Sequence, residues 1–175
     1  MRFTILLLIC LLGVVGLHAQ RGTVLVYGDI NLDVYGGTSK QSIFSIRPGV
    51  GYQFTDHMTA GVDFSYLKFK IGSSDNIKKY SVGPFIRFSM PLNDWFGVYS
   101  QLGAGYVSQP SANLTGFYGQ IFPALYLKVK DNFGLNFSTG ALNFEKLGDS
   151  WEMHFRYGII PTIGVSANFG GKRNE

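Results

Sequence analysis

The sequence predicts an all-β protein, namely an eight-stranded antiparallel up-and-down transmembrane β-barrel that follows a cleaved signal peptide. Three observations support this prediction. The first residues have the order of an export signal, and the rest of the chain divides into about eight segments in which polar and apolar residues alternate. The connections between segments are alternately long and short, which is typical of a barrel with loops on one side of a membrane and tight turns on the other.

Residues 1–19 are predicted to be the signal peptide. Arg2 supplies the positive start, residues 5–15 form an almost unbroken apolar run, and Ala19 provides a small residue at the expected cleavage position. The alternative is a retained membrane anchor, but the apolar run is shorter than the roughly 20 residues that a spanning helix needs. The sequence therefore predicts export, with residues 20–175 as the mature chain.

The mature chain is predicted to form one barrel domain without disulfide bonds, because the single cysteine, Cys10, lies in the signal peptide. The whole sequence is 46% hydrophobic and 15% aromatic and contains 23 glycines, a composition typical of aromatic-rich β structure. The net charge is +4, and no basic run is longer than Lys78-Lys79. These charges do not indicate a nucleic-acid partner.

The alternating segments have the length of tilted strands that cross a bilayer. They predict strands at residues 23–35, 42–54, 58–70, 80–90, 95–107, 117–129, 133–144 and 151–169. The longer connections are predicted to face the cell exterior, and the short turns and both chain ends the periplasm. The longer connections comprise residues 36–41, 71–79, 108–116 and 145–150. No segment after the signal has helical periodicity, so no helix of consequence is predicted.

The apolar face of each strand is predicted to face lipid, and the polar face the lumen. In the third segment, for example, Val62 and Phe64 alternate with Asp63 and Ser65. Aromatic residues recur at both ends of the apolar face, as the two interfaces of a bilayer favour. They are Phe44, Tyr66, Tyr80, Tyr106, Phe117 and Trp151 beside the long connections, and Phe54, Phe88, Phe96, Phe133 and Phe169 beside the short turns. A soluble sandwich or lipocalin-like barrel is the alternative, but it does not explain aromatic residues at strand ends.

Four charged residues at lumen positions predict a network through the middle of the barrel. Turn symmetry places Asp29 opposite Arg47, and it places Asp63 opposite Arg87 by folding about residue 75. Arg47 and Asp63 then become diagonal neighbours. Unpaired charge in a tight interior is costly, so the lumen charges should balance. The other predicted members of this set are Asp33, Glu152, Lys128 and Arg156. The network is predicted to act as a plug, and an ion path along it is the alternative.

Four lysines near the outer rim form a second candidate site. Lys68 and Lys70 have lipid-facing parity, and Lys78 and Lys79 follow in the next connection. Ammonium groups at this level are predicted to contact the phosphates of anionic lipopolysaccharide. The alternative is ordinary solvated charge, because exposed ion pairs contribute little.

The sequence contains no convincing catalytic, cofactor-binding or metal-binding constellation. A grouping of Ser150, His154 and Glu152 is conceivable at the rim, but no motif accompanies it and a nucleophile needs a base within hydrogen-bond reach. His57 is most simply a solvated turn residue. One histidine with scattered carboxylates does not have the spacing of metal ligands.

Several stretches of the sequence are similar to a known group of proteins. "SIRPGVGYQFTDHMTAGVDFSY", "VGPFIRFSMPL" and "GVYSQLGAGYV" resemble the strand-turn-strand repeats of small bacterial outer-membrane β-barrels, the OmpX/OmpW-like group. The resemblance implies a location in the outer membrane of a Gram-negative bacterium, among its lipid and lipopolysaccharide. The stretch "PTIGVSANF", which ends at Phe169, resembles the insertion signal that the barrel-assembly machinery reads.

The predicted function is that of an integral outer-membrane barrel with a structural or interaction role at the cell surface, and not that of an enzyme. The interior of eight strands is just wide enough to be filled by side chains. Large inward residues, including Tyr118, Phe122 and Tyr126, therefore disfavour a general pore. A narrow channel or transporter for small solutes is the first alternative, and a lipid A-modifying barrel enzyme the second. The sequence identifies no partner protein.

Overall fold

The structure, a computed structural model, describes residues 22–35, 41–71, 74–130 and 132–170. These residues form eight long strands and one short 3-10 turn at Pro110–Ala112. The strands are β1 (Thr23–Tyr35), β2 (Gln41–Gln53), β3 (Met58–Ile71), β4 (Ser74–Pro91), β5 (Phe96–Gln109), β6 (Leu114–Lys130), β7 (Phe133–Leu147) and β8 (Ser150–Phe169). No helical segment in the described ranges combines the length and apolarity that a membrane crossing requires.

The eight strands form one closed antiparallel barrel in the order β1 to β8, and β8 pairs back with β1. Closure gives each of the eight strands a hydrogen-bonded neighbour on both sides, as a sheet inside lipid requires. The predicted fold class is therefore confirmed. The long final strand is also as predicted, because β8 begins at Ser150 and ends at Phe169.

The barrel presents its apolar residues outward. In β5 the side chains of Tyr99 and Gln101 are buried inside, whereas Ser100 and Leu102 are exposed outside. Successive side chains of a strand point to opposite faces, so the alternation in the sequence maps directly onto lumen and lipid. Phe85 in β4 belongs to the lumen although it is apolar, and it is 2% exposed.

The strands extend further than the alternation predicts. Ladder pairing joins residues of the predicted connections at 71–79, 108–116 and 145–150, so the described connections there are short. Beyond the bilayer both faces of a sheet can be wet, so polar sequences can pair there without an alternating pattern. Most of the first connection, residues 36–40, lies outside the described residues.

The barrel has two different ends. We call the end that carries the β2–β3, β4–β5 and β6–β7 connections the turn end, and it also contains Thr23 and Phe169. The other end is the hairpin end. The strand pairs differ in extent, because β1 pairs with β2 along its whole length but with β8 only from Val24 to Ile30. The β1–β8 seam is therefore the shortest described ladder of the barrel.

Candidate functional site

Large side chains fill the middle of the lumen, and glycines at the paired positions of neighbouring strands make room for them. Leu25, Tyr27 and Phe85 pack together, and the edge of the Tyr27 ring meets the Phe85 ring at a centroid distance of 5.6 Å. A Cβ atom at Gly49 would collide with the Tyr27 ring, and one at Gly61 with Phe85 and the β2 backbone. A second cluster comprises Tyr99, Phe122 and Ala124.

Arg87 occupies the space between these two clusters. Its guanidinium carbon lies 4.4 Å from the centroid of the Tyr27 ring and 4.1 Å from that of Tyr99. Both rings therefore offer their faces to the cation, which is a favourable arrangement when water is excluded. Its Nε and Nη2 atoms donate hydrogen bonds of 2.9 and 2.7 Å to Gln101 Oε1. Arg87 is 4% exposed, and Gln101 is completely buried.

Asp63, 2% exposed, receives hydrogen bonds from three neutral groups. Tyr27 Oη and Gln101 Nε2 donate to Oδ2 at 3.0 and 3.1 Å, and Tyr118 Oη donates to Oδ1 at 3.2 Å. Gln101 Nε2 also donates to Tyr27 Oη at 2.8 Å. A carboxylate that accepts several hydrogen bonds can remain charged in a buried site. Gln101 consequently connects Asp63 with Arg87.

Asp29 and Arg47 form the second pair of charges. The two residues are directly opposite in the β1–β2 ladder, as predicted, and Arg47 Nε lies 3.6 Å from Asp29 Oδ2. Arg47 Nη1 also donates to Gln120 Oε1 at 3.0 Å, and its guanidinium carbon lies 4.5 Å from the centre of the Phe122 ring. The Arg47 side chain is 19% exposed, so it is more accessible to water than Arg87.

The predicted pairing of Asp63 with Arg87 is wrong. Asp63 lies opposite Gly83, and Arg87 lies opposite Thr59. Because β3 continues to Ile71 and β4 already begins at Ser74, the hairpin folds about an earlier point than residue 75. The predicted diagonal relation of Arg47 to Asp63 is present, since Asp63 pairs with Gly49. Within the described residues, however, no ion pair joins Asp63 to either arginine.

Sequence reasoning missed Tyr27, Tyr99 and Gln101, which connect the four predicted charges. All three occupy odd positions, on the lumen side of β1 and β5. The same alternation that placed Asp29 inside also places Tyr27 there. The signal in the sequence is the polar Gln101 at a lumen position of β5, where it serves as the central hydrogen-bond donor and acceptor.

The hairpin end of the lumen contains a contact that spans the barrel. Lys79 on β4 forms a salt bridge of 2.5 Å with Glu145 on β7, although these two strands are not neighbours. The prediction placed Lys79 with the three other lysines of the outer rim, and this placement is wrong. Because β4 already includes residue 79, Lys79 shares the lumen face with Ser81, Gly83 and Arg87.

The other three rim lysines lie on the outward face. Lys68 and Lys70 continue the outward row of β3 beyond Phe64 and Tyr66, and Lys78 precedes Tyr80 on β4. Lys68 and Lys78 are directly opposite in the ladder. These three residues, which we call the lysine patch, are therefore separated from the lumen by the barrel wall.

The remaining predicted residues do not assemble a catalytic or metal site in the described part of the chain. Ser150 and Glu152 lie in β8, but the side chain of His154 falls outside the described residues, as do those of Asp33 and Arg156. The described histidines and carboxylates include no group of three that could hold a metal ion. Phe169 ends β8 at the turn end, 57% exposed and opposite Val24.

Closed strands, an apolar exterior and a filled interior together define the class of the molecule. It is a transmembrane β-barrel whose lumen is occupied by side chains.

One comparison, with a TM-score above 0.5, agrees with this class at the level of fold. Neisserial surface protein A has a TM-score of 0.62 and 16% identity, over 85% of this chain and 96% of that chain. Ail, the Yersinia pestis outer membrane protein, scores 0.47 with 17% identity over 85% and 99% of the two chains. A de novo designed transmembrane β-barrel scores 0.45 with 13% identity over 85% and 96%. No family model and no curated protein matches this chain.

Proposed function

We propose that this chain is an integral outer-membrane protein of a Gram-negative bacterium, of the OmpX/OmpW-like kind, with a structural or interaction role at the cell surface. The observation that supports it is the occupied centre of the lumen. Arg87, Gln101, Asp63 and Tyr27 fill this layer and satisfy one another's hydrogen bonds. A lumen filled by packed side chains leaves no room for a solute to pass.

The exterior supports the membrane location. Many apolar side chains on the outer face are about half exposed, among them Val26, Ile30, Val50, Val62 and Leu102. In water they would form a large exposed apolar surface, which is unfavourable. A bilayer removes this cost, and a barrel is the form in which strands can cross it. In this proposal the surrounding partners are outer-membrane lipid and lipopolysaccharide, and the barrel-assembly machinery inserts the chain by reading the strand that ends at Phe169.

The location is tested by cell fractionation with a gel of boiled and unboiled samples. We expect the protein in the outer-membrane fraction and a shift in migration on boiling, because a closed barrel resists detergent until heated. Single cysteines then test the topology in a mature chain that has none of its own. Ala112→Cys should react with an impermeant label on intact cells, and Asp94→Cys at the turn end should not.

The closed lumen is tested in planar bilayers with the purified, folded protein. We expect no discrete conductance steps at moderate voltage, because the buried Arg87 layer interrupts any continuous path for water. Regular steps that disappear on heating the protein would favour the channel alternative instead. A protein found only in the periplasmic fraction, or the reversed labelling pattern, would contradict the proposed location.

A further inference from the structure

The lysine patch lies just beyond a cluster of aromatic rings on the outside of the barrel. The Tyr66 ring is 5.2 Å from Tyr80 and 6.5 Å from Phe44, and Phe64 is 6.4 Å from Tyr80, measured between centroids. Aromatic side chains of this kind collect at the level of lipid headgroups. Lys68 follows Tyr66 by two residues, which is about 7 Å further along the strand. Its ammonium group is thus at or just above the headgroup level.

The lysine patch concentrates positive charge that no salt bridge among the described side chains neutralises. Side chains directly opposite in an antiparallel ladder are close neighbours, and two like charges there are destabilising. Lys68 faces Lys78 on one side and Phe44 on the other, while Lys70 lies between Asn76 and Ser42. None of these ladder neighbours is a carboxylate. The salt bridges in the described ranges do not include a lysine of the patch.

Lys79 provides the contrast within the same strand. It is adjacent in sequence to Lys78 but points into the lumen, where Glu145 neutralises it. A carboxylate partner is therefore provided for the inward lysine, whereas the described side chains provide none in a salt bridge with the three outward lysines. The difference indicates an external anion.

We infer that the lysine patch binds phosphate groups of an anionic glycolipid in the outer leaflet, that is, of lipopolysaccharide. This inference rests on the proposed outer-membrane location. Ammonium groups form short, charge-assisted hydrogen bonds with phosphate oxygens, and one diphosphorylated headgroup can bridge Lys68 and Lys78. The aromatic cluster directly below gives the acyl chains of the same molecule an apolar surface. A soluble phosphate would use only the charged half of this surface.

The opposite side of the barrel offers a matched control. There the Lys146 ammonium lies 5.3 Å from the centre of the Trp151 ring, and Phe117 is its ladder neighbour on β6. The Phe117 ring in turn contacts Tyr106 at 6.4 Å. This surface has the same aromatic character at the same end of the barrel, but it presents one lysine instead of three. Lys146→Gln removes a positive charge without touching the patch.

The test uses the folded mature protein in detergent micelles, with diphosphorylated lipid A as the probe. The readout is the temperature at which the unboiled gel form is lost. We expect lipid A to raise this temperature, and we expect the Lys68→Gln/Lys78→Gln double variant to need at least about tenfold more lipid A for the same rise. Lys146→Gln should respond like the unaltered protein. High salt should reduce the rise, because it screens exposed charges.

The inference is overturned if the double variant and the unaltered protein respond equally. It is also overturned if dephosphorylated lipid A, or inorganic phosphate alone, gives the same rise as the diphosphorylated lipid. Every protein must first show the heat-dependent shift without lipid, so a failure to fold is recognised separately. If lipid A does not change the transition temperature of an intact barrel, the patch is not a binding surface. If the protein is absent from the outer membrane of cells, the proposed function is refuted instead.

Discussion

The two arginines of the lumen are held in opposite ways. Arg47 meets its carboxylate directly, in a 3.6 Å pair with Asp29, and retains some access to water. Arg87 has no carboxylate in contact among the described residues. It lies between the rings of Tyr27 and Tyr99, and its links to Asp63 run through Gln101 and Tyr27. In the driest layer of the barrel, neutral groups separate the charges. The faces of two aromatic rings and one amide can stabilise a buried cation even when its counter-charge, here Asp63, lies on the far side of the amide.

The largest effect is expected for Arg87→Met. The change removes both ring contacts and leaves Gln101 Oε1 and the Asp63 charge without the cation, so we expect a loss of about 3–5 kcal/mol in the free energy of unfolding. Urea titration of the micelle-folded protein measures it. The double-mutant cycle with Asp63→Asn should show coupling, although the two side chains do not touch. Additive losses would mean that Gln101 does not transmit the interaction and that the two charges are independent.

Gly49→Ala tests the same layer from β2, where Gly49 is the ladder neighbour of Tyr27. The new methyl group would collide with the Tyr27 ring and push it against Arg87, so we expect a loss of about 1–3 kcal/mol. Gly119→Ala is the control, because nothing lies within 4 Å of a Cβ atom there. Equal unfolding curves for the two variants would show that the Tyr27 ring is not held against Gly49.

Arg47→Met should cost less than Arg87→Met, about 1–2 kcal/mol, although it breaks a direct ion pair. The 19% exposure of Arg47 indicates that water can reach this region and compensate Asp29 in part. The comparison is made by urea titration at low and at high salt, and only the Arg47 variant should approach the unaltered protein as salt increases. If Arg47→Met loses as much free energy of unfolding as Arg87→Met, water does not compensate Asp29, and the two arginines stabilise the barrel equally.

The smallest effect is expected for Tyr27→Phe. The ring remains over Arg87 and against Phe85, but Asp63 loses one of its three donors, which corresponds to about 1 kcal/mol. Thermal loss of the unboiled gel form, compared with that of Tyr126→Phe, measures it. If this variant is as unstable as Arg87→Met, the Tyr27 hydroxyl, and not its ring, is what holds the cluster together.

Alternation in the sequence was sufficient for the strands, their faces and the closed barrel, because a period of two fixes which side each residue occupies. It was not sufficient for the register of β3 against β4. Register depends on where a hairpin turns, and the polar residues near that turn carry no facial pattern. Asp63 was therefore placed inside correctly but opposite the wrong residue. Gln101 is central because its side chain contacts residues from other strands, namely Tyr27, Asp63 and Arg87. The sequence of one segment does not contain this information.

The short seam between β1 and β8 has a consequence for the order in which the barrel forms. Every other ladder joins strands that follow each other in the chain, whereas the seam joins the first strand to the last. Contacts between distant parts of a chain form slowly, because the entropy of closing the intervening loop must be overcome first. Asp29 lies in this seam opposite Gly164, where a side chain would collide with its carboxylate. We therefore expect the barrel to close last along this seam, over a charge that Arg47 can already hold in the β1–β2 hairpin.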